Sequence, residues 1–221
     1  MLVNADFSLP VFIAPERHRW LASPQGGVER MMLDRIGAEQ ARATSLVRYA
    51  PGARFPAHAH PGGEEILVLS GTFSDETGDF PAGYYLRNPP DSVHRPSSAE
   101  GALIFVKLRQ MAPDESRQVR IDTRDPACWR ELQGRRTCAL FSSRAEQVSL
   151  LRLAPGQPVL DGPVDGAELL VLAGATRFGA QEYGRGSWIR LPPGDWPAWR
   201  AGGQGAECYL KTGHLGRAAP G

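Results

Sequence analysis

The sequence has almost no net charge and no apolar run long enough to cross a bilayer. Its 25 Lys and Arg residues balance 24 Asp and Glu residues, which leaves a formal charge of +1. Proteins that bind nucleic acid usually present a basic surface, so we expect no nucleic-acid partner. The longest apolar runs, such as 66–69 and 102–106, have the length of a strand, so we expect no membrane span.

Cysteine and histidine are also scarce. The three cysteines, Cys128, Cys138 and Cys208, have no Cys-x-x-Cys spacing, and their odd number favours reduced thiols in a cytoplasmic protein. The stretch 1–20 lacks the basic start and apolar block of a signal peptide. Only five histidines occur in 221 residues, so the concentration of three of them in two short stretches is informative.

Glycine and proline, by contrast, are abundant, with 25 and 19 residues. They separate short apolar stretches that we predict to be strands, among them 44–49, 64–70, 84–88 and 102–109. Short strands at regular spacing, joined by Gly/Pro turns, are typical of a closed all-β structure.

The chain also repeats itself. SLVRYAPG at 45–52 returns as SLLRLAPG at 149–156, and EILVLSG at 65–71 returns as ELLVLAG at 168–174. A repeat of this length indicates two tandem copies of one β structure. We therefore predict, in chain order, an N-terminal arm at 1–24, a first barrel at 25–112, a linker at 113–127, a second barrel at 128–213 and a tail at 214–221.

Three histidines and one glutamate of the first copy have the spacing of a metal site. His58, His60 and Glu64 share one parity, so on extended strands they share a face, and a neighbouring strand can add His94. Three neutral imidazoles and a carboxylate suit a divalent transition metal. The alternative is a set of surface histidines beside a Gly-Pro turn. We predict one metal ion per chain at these four residues, with zinc favoured and iron, manganese or nickel compatible.

These residues fall in two segments that resemble the two cupin motifs. The first motif, G-x5-H-x-H-x3-E-x6-G, is matched throughout from Gly52 to Gly71. The second, G-x5-P-x-G-x2-H-x3-N, runs from Gly83 to Ser98, with Asp91 in place of glycine and Ser98 in place of asparagine. Aspartate tolerates a left-handed turn, so the first departure is mild. We expect the second to remove a support near the pocket mouth.

More narrowly, the first 110 residues resemble the cupin domain of ChrR-type anti-sigma factors, on the segments 43–71, 73–94 and 104–110. With the internal repeat, this resemblance implies two tandem cupin barrels of the double-stranded β-helix, or jelly-roll, type. It also implies zinc binding and a regulatory or sensing role. The helical sigma-binding domain of such factors has no counterpart in the sequence, so we do not expect a direct interaction with a sigma factor.

The second copy has lost the metal ligands. Alignment of the repeats places 161–164 where the two histidines stood, Ala167 opposite the glutamate and Pro197 opposite the third histidine. We therefore expect a metal-free second barrel. Glu168 aligns with Glu65, whose odd parity directs it away from the histidines, so we interpret this repeated carboxylate as structural.

The same ligand set also permits an enzyme. An octahedral ion with four protein ligands keeps two open positions, and cupins with this set include dioxygenases that act on small carbonyl or aromatic compounds. An arginine near the metal would hold a carboxylate. The side chains predicted to line the pocket are Arg48, Phe55, Tyr85, Arg87 and Phe105, with barrel packing and rim charge as the alternative interpretation. A bound small molecule without turnover and a homodimer are both compatible with the sequence.

Overall fold

The computed structural model describes residues 1–24, 26–38 and 40–215. Within this part more than half of the residues lie in strands, and the helical residues form two 3-10 turns, at Pro15–Arg17 and Pro126–Cys128. The all-β prediction is confirmed. The described residues contain no helix that is long and apolar enough to cross a membrane. The strands are β1 (Leu2–Val3), β2 (Val11–Ile13), β3 (Leu21–Ala22), β4 (Val28–Ile36), β5 (Arg42–Tyr49), β6 (Ala53–Arg54), β7 (His58–His60), β8 (Glu64–Asp75), β9 (Gly78–Pro81), β10 (Tyr84–Asn88), β11 (Ser92–His94), β12 (Ser97–Ser98), β13 (Ala102–Leu108), β14 (Val119–Asp122), β15 (Trp129–Leu132), β16 (Arg135–Ser142), β17 (Gln147–Leu153), β18 (Ala167–Phe178), β19 (Gln181–Gly184), β20 (Trp188–Leu191) and β21 (Trp199–Thr212).

The strands form two compact units with the same internal order. The first unit comprises Met1–Ala5 and Arg19–Arg124, and the second comprises Asp6–His18 and the chain from Asp125 onward. The main sheets have the orders β1-β4-β5-β13-β8-β10-β14 and β15-β16-β17-β21-β18-β20-β2. Strands β4-β5-β13-β8-β10 correspond in order to β16-β17-β21-β18-β20, so the sequence repeat is a structural repeat. Both sheets are open, so each unit is a jelly-roll sandwich rather than the predicted closed barrel.

Two short strands lie where the sequence predicts no domain. Residues 119–122, inside the predicted linker 113–127, form β14 and pair with β10. Residues 11–13, inside the predicted arm, form β2 and pair with β20 of the second unit. Each completes the edge of a main sheet, and a short strand gives no local signal of a partner that is distant in sequence. The predicted tail lies outside the described residues from position 216 onward.

Cys128 and Cys138 form a disulfide, with Cα atoms 5.2 Å apart. The expectation of three reduced thiols is therefore wrong for this pair. Antiparallel pairing of β15 with β16 brings the two together, with Trp129 directly opposite Cys138. Such a pair has no Cys-x-x-Cys signature, so spacing did not reveal it. Cys208 is a free and buried thiol, and burial raises its pKa.

One face of each main sheet packs into an apolar interior. Side chains alternate between faces along a strand, so the interior residues of β10, of β13 and of β8 up to Val68 have even numbers. Beyond a register shift between β8 and β13, the odd-numbered Phe73 of β8 faces the interior. The interior of the first unit includes Ile66, Val68, Leu86, Ile104 and Val106. The interior of the second unit includes Leu169, Val171, Ile189, Leu191 and Trp199.

The other face of the first main sheet carries a buried row of charged side chains. Arg87, Glu65 and Lys107 are successive neighbours on β10, β8 and β13, and each is at most 3% exposed. Arg87 Nη1 lies 3.2 Å from Glu65 Oε2. Lys107 Nζ donates to Thr44 Oγ1 on the next strand at 3.0 Å.

The second unit repeats this row with Arg190, Glu168 and Lys211 on β20, β18 and β21. Trp188 Nε1 donates to Glu168 Oε1 at 2.7 Å, and Lys211 Nζ lies 2.8 Å from Glu146 Oε2. A buried cation needs a nearby anion, because its desolvation is otherwise very costly. This requirement accounts for a glutamate in both copies, although only the first copy has the histidines.

Replacing Glu65 by alanine should destabilise the fold strongly. The substitution removes the carboxylate that faces buried Arg87, and breaking a buried pair in this way costs about 3–5 kcal/mol. Urea denaturation of metal-free protein measures the loss. The control is Glu29→Ala, which removes an exposed ion pair with Arg48 and should cost less than about 1 kcal/mol. Equal losses for the two variants would show that the buried row is not needed for stability.

Candidate metal centre

Two short strands bring three histidines together in the first unit. Strand β7 pairs with β11 in an antiparallel two-stranded sheet, which places His94 opposite His58. The ligand nitrogens of His58, His60 and His94 lie within 4.8 Å of one another, and the Nε2 atoms of His60 and His94 are 2.9 Å apart. Among the residues that the structure describes, this is the one group of three or more His, Cys, Asp or Glu side chains close enough to hold a metal ion.

Glu64 adds a carboxylate to the same cluster. A tight turn joins β7 to β8, with Gly63 at a φ of 74° and its N–H donating to His60 O at 3.0 Å. The left-handed backbone at this position favours glycine. Glu64 Oε2 lies 3.3 Å from His94 Nε2 and 3.6 Å from His60 Nε2. Of the four side chains named from the sequence as metal ligands, the three histidines lie together, and Glu64 lies close to two of them, His60 and His94.

The two departures from the second motif are accommodated locally. Asp91 has a φ of 65°, so it adopts the left-handed conformation that the motif assigns to glycine. Ser98 Oγ donates to Thr72 O at 2.6 Å. Ser98 therefore ties β12 to β8, and supplies a hydrogen bond at the position where the motif has asparagine.

Hydrogen bonds from the Nδ1 atoms orient two of the rings. His58 Nδ1 lies 3.0 Å from Pro56 O, and a carbonyl oxygen only accepts, so Nδ1 carries the proton and Nε2 keeps its lone pair. His94 Nδ1 lies 3.4 Å from Asp75 Oδ2, which favours the same arrangement. Histidines that bind metals commonly donate their other ring nitrogen to such acceptors.

A second chain of hydrogen bonds holds Glu64. Asn88 stands opposite Glu64 across the strands, and its Nδ2 donates to Glu64 Oε2 at 3.0 Å. Arg120 Nη2 donates to Asn88 Oδ1 at 2.7 Å, and its guanidinium lies over the ring of Phe80. Strand β14, which carries Arg120, thus supports the candidate site.

These supporting residues are not among those predicted from the sequence. Asn88 shares the even parity of Glu64, and that signal could have identified it. Arg120 lies in the predicted linker 113–127, and Asp75 lies between the two motif segments, 52–71 and 83–98. For neither residue did a local pattern indicate a contact with the histidines.

Aromatic rings border the cluster. The ring centroid of Phe55 lies 5.9 Å from that of His58, and the centroid of Phe73 lies 6.1 Å from that of His94. His60, Glu64 and His94 are buried, whereas His58 is half-buried. The cluster is therefore reached from solvent on the side of His58.

The pKa values of His60 and His94 are shifted in opposite directions. Burial lowers the pKa of His60, although the charge of Glu64 opposes this effect. Burial acts in the same direction on His94, but the hydrogen bond to Asp75 and the charge of Glu64 outweigh it and raise the pKa of His94. Burial also opposes the shift of Asp75, whose pKa falls to about 2 because His94 and Thr77 donate to it. In the metal-free protein, a proton is therefore held more tightly at His94 than at His60.

Only Phe55, of the predicted pocket residues, lies beside the histidines. Tyr85, Arg87 and Phe105 are wrong predictions, because they have the odd parity of Glu65 and lie on the opposite face of the sheet. Nearness in sequence to the motif was a poor guide, since alternate residues of a strand face opposite ways.

Arg48, which was predicted to line the pocket, lies against Glu29 and Trp20 instead. Its Nη1 lies 3.1 Å from Glu29 Oε2, and its guanidinium stacks over the ring of Trp20 at 4.0 Å. Both contacts are made at an exposed surface, so Arg48 matches the alternative interpretation of rim charge.

Residues 9–112 match the family of ChrR cupin-like domains. No curated protein matches the sequence. Solved structures match almost the whole chain, and at their low identities they show the fold alone. A candidate dioxygenase from Nostoc punctiforme has a TM-score of 0.74 at 14% identity, over 96% of this chain and 85% of the other. The structure of pirin YhhW from Escherichia coli in complex with nickel(II) has a TM-score of 0.64 at 12% identity, over 92% of this chain and 98% of the other. A cupin 2 conserved barrel domain protein from Leptotrichia buccalis has a TM-score of 0.62 at 13% identity, over 96% of this chain and 99% of the other. The family match supports the resemblance of the first half of the chain to the cupin domain of ChrR proteins, and the structural matches show that the chain has the fold of these cupin structures.

Glu64 and Glu65 should differ sharply in their effect on metal binding. Glu64→Gln removes a charged donor from the cluster, and we expect at least a tenfold loss of zinc affinity in a competition titration with a chelator. Glu65→Gln is the matched control, because it alters the neighbouring residue on the opposite face and should leave the affinity unchanged. An exchange of the two outcomes would mean that a bulge shifts the register of β8.

Asp75→Asn should destabilise the metal-free protein in a limited pH window. The raised pKa of His94 contributes stability that is complete below about pH 6.5 and is lost as pH rises through the folded value. The lowered pKa of Asp75 contributes stability above about pH 3.9 that is lost as pH falls. We expect the variant to lose about 1 kcal/mol near pH 5 and less near pH 9, measured by urea denaturation. A loss that does not vary with pH would contradict an ionic Asp75–His94 contact.

Proposed function

We propose that the first unit binds one divalent metal ion through His58, His60, Glu64 and His94, with zinc favoured, and that it acts as a regulatory or sensing module. The convergence of three imidazoles and one carboxylate carries this proposal. The donor set fits a divalent transition metal, since imidazole and carboxylate ligands suit zinc, iron, manganese and nickel. When bound, such an ion supplies Lewis acidity and a fixed positive charge.

The arrangement of the ligands supports a sensing role. Three of the four come from the two-stranded sheet of β7 and β11, which is separate from the main sheet of the unit. A two-stranded sheet is marginally stable by itself. A metal ion that joins it to Glu64 on β8 would therefore stabilise this part of the fold, and metal loss would loosen it. The resemblance of residues 9–112 to ChrR cupin-like domains favours the same role.

The alternative is a metal-dependent dioxygenase of a small carbonyl or aromatic compound. The half-buried position of His58 favours it, because a small molecule can approach the cluster from that side. In this alternative the chain binds the metal with the same four residues, and Phe55 packs against an aromatic substrate. Asp75 and Asn88 keep His94 and Glu64 oriented.

Metal analysis of protein purified without added metal tests the proposal. We expect close to one zinc ion per chain, and loss of that ion in His94→Ala. Phe55→Leu, which changes a neighbouring ring but no ligand, should keep it. Two tightly bound ions per chain, or full occupancy in His94→Ala, would contradict the assignment of the site.

A second measurement separates sensing from catalysis. Metal-free protein is loaded with ferrous iron without air, and nitric oxide is added as a spectroscopic probe of open coordination positions. Oxygen uptake with small hydroxyketones and phenolic ketones follows. Zinc as the native metal, with no nitric oxide signal and no uptake, supports the sensing module. Substrate-dependent oxygen uptake that disappears in His58→Ala establishes the dioxygenase instead.

A further inference from the structure

The second unit contains a cavity of about 440 Å³. It lies between the interior faces of β16, β17 and β21 and the loop 159–164. The sequence repeat aligns this loop with the segment of the first unit that carries His58 and His60. Ala167 and Pro197, which align with Glu64 and His94, do not line the cavity. Its volume falls within the range of pockets that hold small organic ligands.

Four uncharged hydrogen-bonding side chains on the strands line this cavity: Thr137, Gln147, Ser149 and Thr212. Alternation along β16 and β17 places the first three on the face that lines the cavity, where Gln147 is exposed, and Thr212 stands directly opposite Gln147 on β21. Within the described residues, none of the four side chains donates or accepts a hydrogen bond with the protein. Their hydroxyl and amide groups are therefore available to a ligand or to water.

The first unit shows that these polar residues are not required by the fold. The pairing of Lys107 with Thr44 corresponds to that of Lys211 with Val148. The next pair along the same strands is Leu108 with Ala43 in the first unit. In the second unit it is Thr212 with Gln147. An apolar pair in one copy is thus a polar pair in the other, at a position that faces the cavity.

The charges at the cavity are already compensated. Arg135 donates to Asp161 and also to Val159 O at 2.9 Å. A ligand therefore meets no uncompensated charge there. The remaining wall is apolar, with Leu151, Val159 and Leu210 buried around it.

We propose that this cavity binds a small uncharged polyhydroxylated molecule, of the size of a monosaccharide, without a metal ion. Hydroxyl groups both donate and accept, and so do the threonine, serine and glutamine side chains. The C–H face of a sugar or cyclic polyol packs on the leucines and valine of the opposite wall. The second unit has exchanged metal ligands for a set of polar groups that suits such a ligand.

The test is ligand binding to metal-stripped protein, observed by saturation-transfer NMR and by calorimetry. The probes are D-glucose, D-galactose and myo-inositol at about 10 mM, with D-gluconate as the anionic comparison. The variant Gln147→Ala/Thr212→Leu restores the residues of the first unit and removes two ligand contacts. Gln181→Ala is the control, since Gln181 is an exposed residue of β19 in the same unit.

We expect at least one uncharged probe to bind, with at least a tenfold weaker affinity in the double variant and an unchanged affinity in the control. Absence of binding by all three uncharged probes to correctly folded protein would overturn the proposal. Gluconate binding more tightly than glucose, or equal binding to the double variant, would overturn it as well. The measurement uses metal-free protein, so its outcome is independent of the proposed metal site.

Discussion

The antiparallel pairing of β8 with β10 and β13 is the constraint on which both functional faces of the first unit depend. It directs Glu64 into the interior beside the histidines and its neighbour Glu65 to the opposite face beside Arg87. One register therefore positions a candidate metal ligand and a buried ion pair together. A shift by one residue would exchange the two carboxylates and place the metal ligand among structural charges.

Much of the fold and of the metal cluster follows from short patterns. Parity and motif spacing identified the three clustered histidines and the nearby Glu64, and the internal repeat identified two copies of one strand order. The errors are of another kind. Tyr85, Arg87 and Phe105 were chosen by nearness to the motif against the rule of alternation. Arg120 and the disulfide of Cys128 with Cys138 depend on pairings between segments that no local pattern reports.

The two units show what the repeat keeps and what it changes. Both keep an arginine, a glutamate and a lysine as a buried row on one face of the sheet. On the interior face, the first unit has histidines and an apolar pair, and the second has a cavity with free hydroxyl and amide groups. The structural charges and the candidate ligand groups lie on opposite faces, so the interior can change while the row stays constant.

The pairing of the edge strand β2 with β20 delays completion of the second unit's main sheet during synthesis. Residues 11–13 leave the ribosome long before their partner β20, which spans Trp188–Leu191. The first unit has all of its strands once residue 122 has emerged. The early segment must therefore wait, extended and unpaired, while more than half of the chain is made. Such a long-range closure is slow. A nascent chain halted between the two repeats would therefore carry β2 without its native partner strand.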